Sequence, residues 1–111
     1  MGLQSEEAKK VYSILASDED LQEIVVLFVD EMPERLAKIE TEFFSQNWES
    51  MERLVHQLKG AAGGYGFSEI TPVAARLEQL IHSRADIQEI TEAKEGLVQL
   101  CRCVTSDVPS G

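Results

Sequence analysis

No apolar run in this 111-residue chain approaches the roughly 20 residues that a membrane-spanning helix needs. The first residues, with Glu6, Glu7, Lys9 and Lys10 close together, lack the apolar centre of a secretory signal. A soluble, cytoplasmic protein is expected. Basic residues are scarce, ten against twenty acidic ones for a formal net charge of −10. That balance repels a phosphate backbone, so nucleic acid is not an expected partner. With two histidines and two cysteines in the chain, the ligands for a zinc site are short. His56 has no His or Cys partner at helical i+3 or i+4 spacing, and His82 can reach it only through the fold. Cys101 and Cys103 lie two apart in a segment that reads as helix, where their side chains diverge, so reduced thiols are expected. A P-loop is missing, which argues against ATP binding, and there is no G-x-S-x-G elbow for nucleophilic hydrolysis.

What the chain does contain is apolar residues at helical spacing almost throughout, with 43% hydrophobic residues to build a core. Its length allows one domain, taken as 1–111 with an ordered core from about 6 to 104. A short first helix is expected over Glu6 to Leu15, from Ala8, Val11, Tyr12 and Leu15. Ser17 makes a candidate N-cap for a long second helix, with Asp18, Glu19 and Asp20 suited to its first turn. Leu21, Ile24, Val25, Phe28, Met32, Leu36, Ile39 and Phe43 trace that helix to about Gln46. The stripe stays in phase across Pro33, which predicts a kink within one helix rather than two. A third helix is expected from Asn47–Glu49 to about Tyr65 and a fourth from Ser68 to Ser83, with Thr71-Pro72 as an alternative start. The fifth runs from Asp86, in capping-box spacing with Glu89, to about Val104. Thr105 to Gly111 reads as a frayed tail. The expected architecture is all-α, an antiparallel four-helix bundle with a short additional N-terminal helix.

The third helix carries the chemistry. At about 100° per residue, Met51, Leu54, Leu58, Ala61, Ala62 and Tyr65 gather on one side as the core face. His56 falls nearly opposite, with Glu52, Lys59, Gly60 and Gly63 beside it on the outer face. Glycines cost a helix interior about 1 kcal/mol each relative to alanine, and Gly60, Gly63 and Gly64 all lie inside this one. Gly60 and Gly63 would leave room for a partner near the imidazole, Gly64 sits closer to a packing or fraying position, and Gly66 fits a helix terminus. Lys59, one turn on, can bring a mobile positive charge to an anion at His56. A neutral imidazole keeps one ring nitrogen free to attack phosphorus, and a nearby cation stabilises the charge on the peripheral oxygens of a transferring phosphoryl group.

The run His56-Gln-Leu58-Lys59-Gly60, followed by Ala61-Ala62-Gly63 and Gly66, resembles the H-x-L-K-G-x-x-x-x-x-G signature of histidine-containing phosphotransfer (HPt) domains of two-component phosphorelays. Phe28-Val-Asp-Glu-Met-Pro33 is similar to that family's long kinked helix, and Arg76-Leu77-Glu78 to the helix after the motif, so the likeness covers about Glu6 to Val104. The resemblance implies that His56 accepts a phosphoryl group on Nε2 from a receiver-domain aspartate and passes it to another receiver. Lys59 is then a phosphate contact, Gly60 steric clearance, and Glu78 a residue that orients the ring, with Gln79 as its substitute. No cofactor is implied for this chain, because the Mg ion belongs to the receiver. Candidate docking residues are Val55, Phe67, Ile24 and Leu27, and choosing among them requires the fold.

These features lead to a stoichiometric phosphocarrier without kinase activity of its own, standing alone or cut from a hybrid histidine kinase. The expected partners are receiver domains of response regulators or hybrid kinases, and with no evident dimer seam the chain is expected to be a monomer. One alternative is a helical adaptor that binds a signalling partner without phosphotransfer. Another is the phosphoacceptor domain of a chemotaxis-type kinase, which needs flanking catalytic domains; a chain that begins with Met and ends seven residues past its last predicted helix argues against it.

Overall fold

The computed structural model describes residues 10–109, and within them the order is strand, four helices, strand. The helices are α1 (Gln22–Phe44), α2 (Trp48–Gly64), α3 (Ile70–His82) and α4 (Ile87–Cys101). Two short strands, β1 (Val11–Tyr12) and β2 (Val104–Thr105), stand at either end. None of the described helices is long and apolar enough to cross a membrane.

In α1 the buried residues are Val25, Phe28, Met32, Leu36 and Ile39, spaced three and four apart, so one continuous stripe faces the core. The helix runs unbroken across Pro33, whose side is exposed. Ile24, assigned to the stripe from sequence, lies instead at its exposed edge. Ser17 is not the cap. Asp18 uses its carboxylate to accept the Asp20 amide at 2.9 Å, a local turn that delays the helix until Gln22, with Leu21 as an N-cap that makes no side-chain bond. Asp86, by contrast, does cap α4, accepting the Glu89 amide at 2.9 Å. Pro72 sits in the first turn of α3, where a missing N–H costs nothing.

Three helices end in the same way. Behind α1, α2 and α3 the residues Gln46, Gly66 and Arg84 adopt left-handed φ values of 59°, 84° and 60°. The amides of Asn47, Phe67 and Ala85 then reach back to the carbonyls of Glu42, Ala62 and Leu80 at 2.9, 2.8 and 3.0 Å. This is the Schellman closure, which satisfies carbonyls the helix end leaves open. Only at Gly66 is glycine obligatory on packing grounds as well, since a Cβ there would lie 2.6 Å from Ser13 Oγ.

The two ends of the chain differ from the sequence expectation. Val11 and Tyr12 do not continue a helix from Glu6; they form β1, paired in parallel with β2 in the register Val11 to Val104 and Tyr12 to Thr105. Residues 6–9 of that expected helix lie outside the described residues. Burial along 11–14 alternates (Val11 and Ser13 buried, Tyr12 half-buried, Ile14 exposed), a period of two rather than 3.6. Thr105 is correspondingly part of a strand rather than a frayed tail, and α4 stops at Cys101 because the chain must straighten to pair.

One core serves all four helices, with α2 packed chiefly on α3, α3 on α4 and α1 on α2. At its centre Phe28 meets both Tyr65 and Phe67 at ring-centroid distances of 5.2 Å. Lys94 is buried in this largely apolar setting. Its ammonium donates to Glu40 Oε1 at 2.6 Å and lies 4.4 Å from the Phe43 ring centroid, so the charge is matched by a carboxylate and an aromatic face. Both cysteines are free thiols, and burial pushes the Cys101 thiol up to about 12, which leaves it un-ionised and inert.

Candidate functional site between α2 and α3

Helix α2 buries Met51, Val55, Leu58 and Ala62, and that periodicity forces residues 52, 56, 59, 60 and 63 away from the core. His56 is accordingly exposed, with 63% of its side chain accessible. Helix α3 buries Ile70, Ala74, Leu77 and Ile81, which puts Glu78, next to Leu77, on the margin that borders α2. There its carboxylate is held by two residues one turn apart on α2. His56 Nδ1 lies 2.7 Å from Glu78 Oε2, and Lys59 Nζ donates to Glu78 Oε1 at 2.6 Å.

The Lys59 ammonium, bonded directly to the carboxylate, holds Glu78 below the usual carboxylate range; partial burial opposes this and His56 adds to it. Glu78 is therefore ionised at neutral pH. An ionised carboxylate only accepts hydrogen bonds, so His56 Nδ1 carries the proton and the ring lone pair lies on Nε2. Nε2 has no hydrogen-bond partner among the described residues. The arrangement is an exposed nucleophilic nitrogen, a fixed tautomer, and a cation 2.6 Å from the same carboxylate.

The glycines divide. A Cβ on Gly60 or on Gly64 would meet nothing within 4 Å, whereas one on Gly63 would touch Thr71 Oγ1 at 3.6 Å. A side chain at Gly60 would thus project into open space. Gly64 is open rather than a packing position, and Gly63 sits against the start of α3. Gly66 secures the end of α2 onto the N-terminal segment. Its carbonyl accepts the Ile14 amide at 2.9 Å, and Ser13 Oγ donates to Tyr65 O at 2.6 Å.

Two of the four proposed docking residues are not available. Val55 and Phe67 are fully buried, while Ile24 and Leu27 are exposed on α1. Val55 lies on the core face beside Leu58, and Phe67 turns inward after Gly66 to stack on Phe28, at 24° between ring planes. Gln79 is exposed, and among the described residues the side-chain hydrogen bond of His56 goes to Glu78 instead.

Sequence reasoning missed a second pair beside the first. His82 Nδ1 lies 3.0 Å from Glu52 Oε2, so α2 and α3 are linked by two rungs of opposite composition. The signal was present: both helices carry Glu followed four residues later by His, as Glu52/His56 and Glu78/His82. Reading it required knowing that the two helices lie side by side. Among the described residues no group of three or more His, Cys, Asp or Glu side chains converges as a metal site would require.

A protein-family model described as Hpt domain matches residues 23–105. Neither the search of curated proteins nor the search of solved structures produced a match.

Proposed function

The chain belongs to the Hpt domain family, whose members are phosphocarrier modules of two-component systems, and from that premise we propose that His56 is its phosphoryl acceptor. The single observation that carries this reading is the bond from His56 Nδ1 to Glu78 at 2.7 Å, which leaves Nε2 free on an exposed face. A receiver-domain aspartyl phosphate supplies the phosphoryl group. The Nε2 lone pair attacks phosphorus in line as the bond from phosphorus to the aspartyl oxygen breaks, and the aspartate leaves as a carboxylate.

Forming the N–P bond places positive charge on the imidazole ring. Glu78, accepting the Nδ1 proton, stabilises that charge while it develops. Lys59 reaches the phosphoryl oxygens by giving up Glu78, a short swing for a flexible side chain. Gly60 presents no side chain to the incoming receiver. Transfer to a second receiver is the same path reversed. The chain acts stoichiometrically, has no kinase activity and needs no cofactor, because the Mg ion of aspartyl phosphate chemistry belongs to the receiver. It works as a cytoplasmic monomer on an antiparallel four-helix bundle, and Ile24 and Leu27 are the apolar contacts for the receiver.

The deciding experiment incubates the chain with a phosphorylated receiver and follows acid-labile label. Wild type is expected to take label and His56→Gln to lose it. An unlabelled wild type, as a helical adaptor would give, or undiminished label in the variant, overturns the proposal.

A further inference from the structure

The second rung between α2 and α3 has the same chemical form as the first. His82, with 71% of its side chain accessible, gives its Nδ1 to Glu52 at 3.0 Å. With Nδ1 donating to the carboxylate, the lone pair again lies on Nε2. The ring borders an open groove of about 730 Å³ whose walls include Trp48, Glu49, Ile81, Ile87 and Arg84. Arg84 is held at φ 60° by the closure of α3. Its guanidinium has no ion-pair or hydrogen-bond partner among the described residues. Its positive charge therefore faces the groove without a carboxylate to neutralise it. The guanidinium is a fork-shaped donor set suited to phosphoryl oxygens.

We propose that His82 is a second phosphoryl acceptor, with Glu52 fixing its tautomer and Arg84 as the phosphate contact. The inference rests on the reading of His56 to the extent that the donor is of the same class, an acyl phosphate carried by a receiver domain. Nε2 of His82 attacks phosphorus, the phosphorus–oxygen bond to the acyl group breaks, and the carboxylate departs with the electron pair. The Nδ1 proton stays in the bond to Glu52, which offsets the positive charge the ring acquires. Two differences set the expected rate. The rung has no lysine bonded to its carboxylate as Lys59 is to Glu78, and Glu49 in the groove wall opposes an approaching dianion. Transfer to His82 should therefore be about ten- to a hundredfold slower than to His56.

The test uses the full chain and a receiver domain kept charged with acetyl phosphate, with phosphohistidine located by tandem mass spectrometry. A parallel arm omits the receiver and separates direct attack on acetyl phosphate from transfer by the receiver. His56→Gln is expected to retain slow, acid-labile label at His82. Adding Glu52→Gln, or Arg84→Gln, which removes the guanidinium while keeping an unbranched side chain at the left-handed position, should cut that label at least about tenfold. Thermal unfolding checks that both variants fold. Label at His56 with none at His82, in wild type and in His56→Gln, overturns this inference and leaves the reading of His56 standing. Label at neither overturns both, and label at His82 alone supports the inference and overturns the reading of His56. Label at His82 that appears only without the receiver, or that ignores Glu52 and Arg84, is unassisted chemistry on an exposed imidazole and overturns the inference.

Discussion

Alanine at Gly60 and alanine at Gly66 should move stability in opposite directions. At Gly60 the new methyl group meets nothing within 4 Å, so the substitution acts through backbone entropy alone. Replacing an interior helical glycine by alanine then gains about 0.5–1 kcal/mol. In a domain of this size that raises the melting midpoint by about 3–8 °C. At Gly66, φ is 84°, which costs an L-residue about 1–2 kcal/mol. The methyl group would also lie 2.6 Å from Ser13 Oγ and 3.0 Å from carbons of Ile14 and Leu15. Ser13 cannot simply step aside. It is buried, donates to Tyr65 O at 2.6 Å and accepts the Leu15 amide at 2.9 Å, so overpacking adds about 1–3 kcal/mol. The total of about 2–5 kcal/mol lowers the midpoint by about 10–30 °C. Differential scanning calorimetry on the two variants reads both signs. The functional half of the prediction concerns Gly60 alone: a stabilised Gly60→Ala chain should transfer phosphate more slowly, and Gly60→Leu should be slower by about a hundredfold, because a displaced reacting group loses alignment. A lower midpoint for Gly60→Ala would refute the placement of this face in solvent. Wild-type transfer by Gly60→Leu would refute the clearance role.

Lys59→Ala should slow phosphotransfer about ten- to a hundredfold through loss of a phosphate contact, with the midpoint within a few degrees of wild type, since partly exposed ion pairs contribute at most about 1 kcal/mol; rapid-quench labelling and calorimetry separate the two effects, and an unchanged rate would remove Lys59 from the site. Glu78 has its carboxyl held below the ordinary 4.5, so its contribution to stability is fully present above that value and is lost as pH falls through the lower, folded-state value. Urea unfolding of wild type and Glu78→Gln between about pH 3 and 7 should show the difference shrinking on the acid side, and parallel curves would contradict the assignment. Lys94→Ala leaves the Glu40 carboxylate without its cation and removes the charge over the Phe43 ring, and should cost about 2–3 kcal/mol, checked by urea denaturation, with a change under about 0.5 kcal/mol refuting the buried pair.

The helices were legible because each stripe repeats at 3.6 residues for three turns or more, and because Asp86 and Glu89 stand at capping distance. The ends were not. Four apolar residues from Ala8 to Leu15 fit a helix, but Val11 pairs with Val104 some ninety residues away, and a contact of that range leaves no local trace. Lys94 was equally hidden. It occupies the core-facing position between Ile90 and Leu97, where the stripe simply shows a gap, and only the fold brings Glu40 to it. Within the site, His56, Lys59 and Gly60 follow from one helix and its periodicity. Glu78 needed the family resemblance, and the sharing of its carboxylate between His56 and Lys59 needed the packing of α3 on α2.

The parallel pairing of β1 with β2 brings the two ends of the described residues side by side. Strands in such a pair lie about 4.8 Å apart, so Val11 and Val104 are neighbours although almost the whole sequence separates them. The path from one around to the other passes through all four described helices and the face that carries His56 and Glu78. Because the strands run parallel, a link from the end of β2 to the start of β1 would have to cross back over the pair; the pair acts instead as a clasp that ties the segment before α1 to the segment after α4.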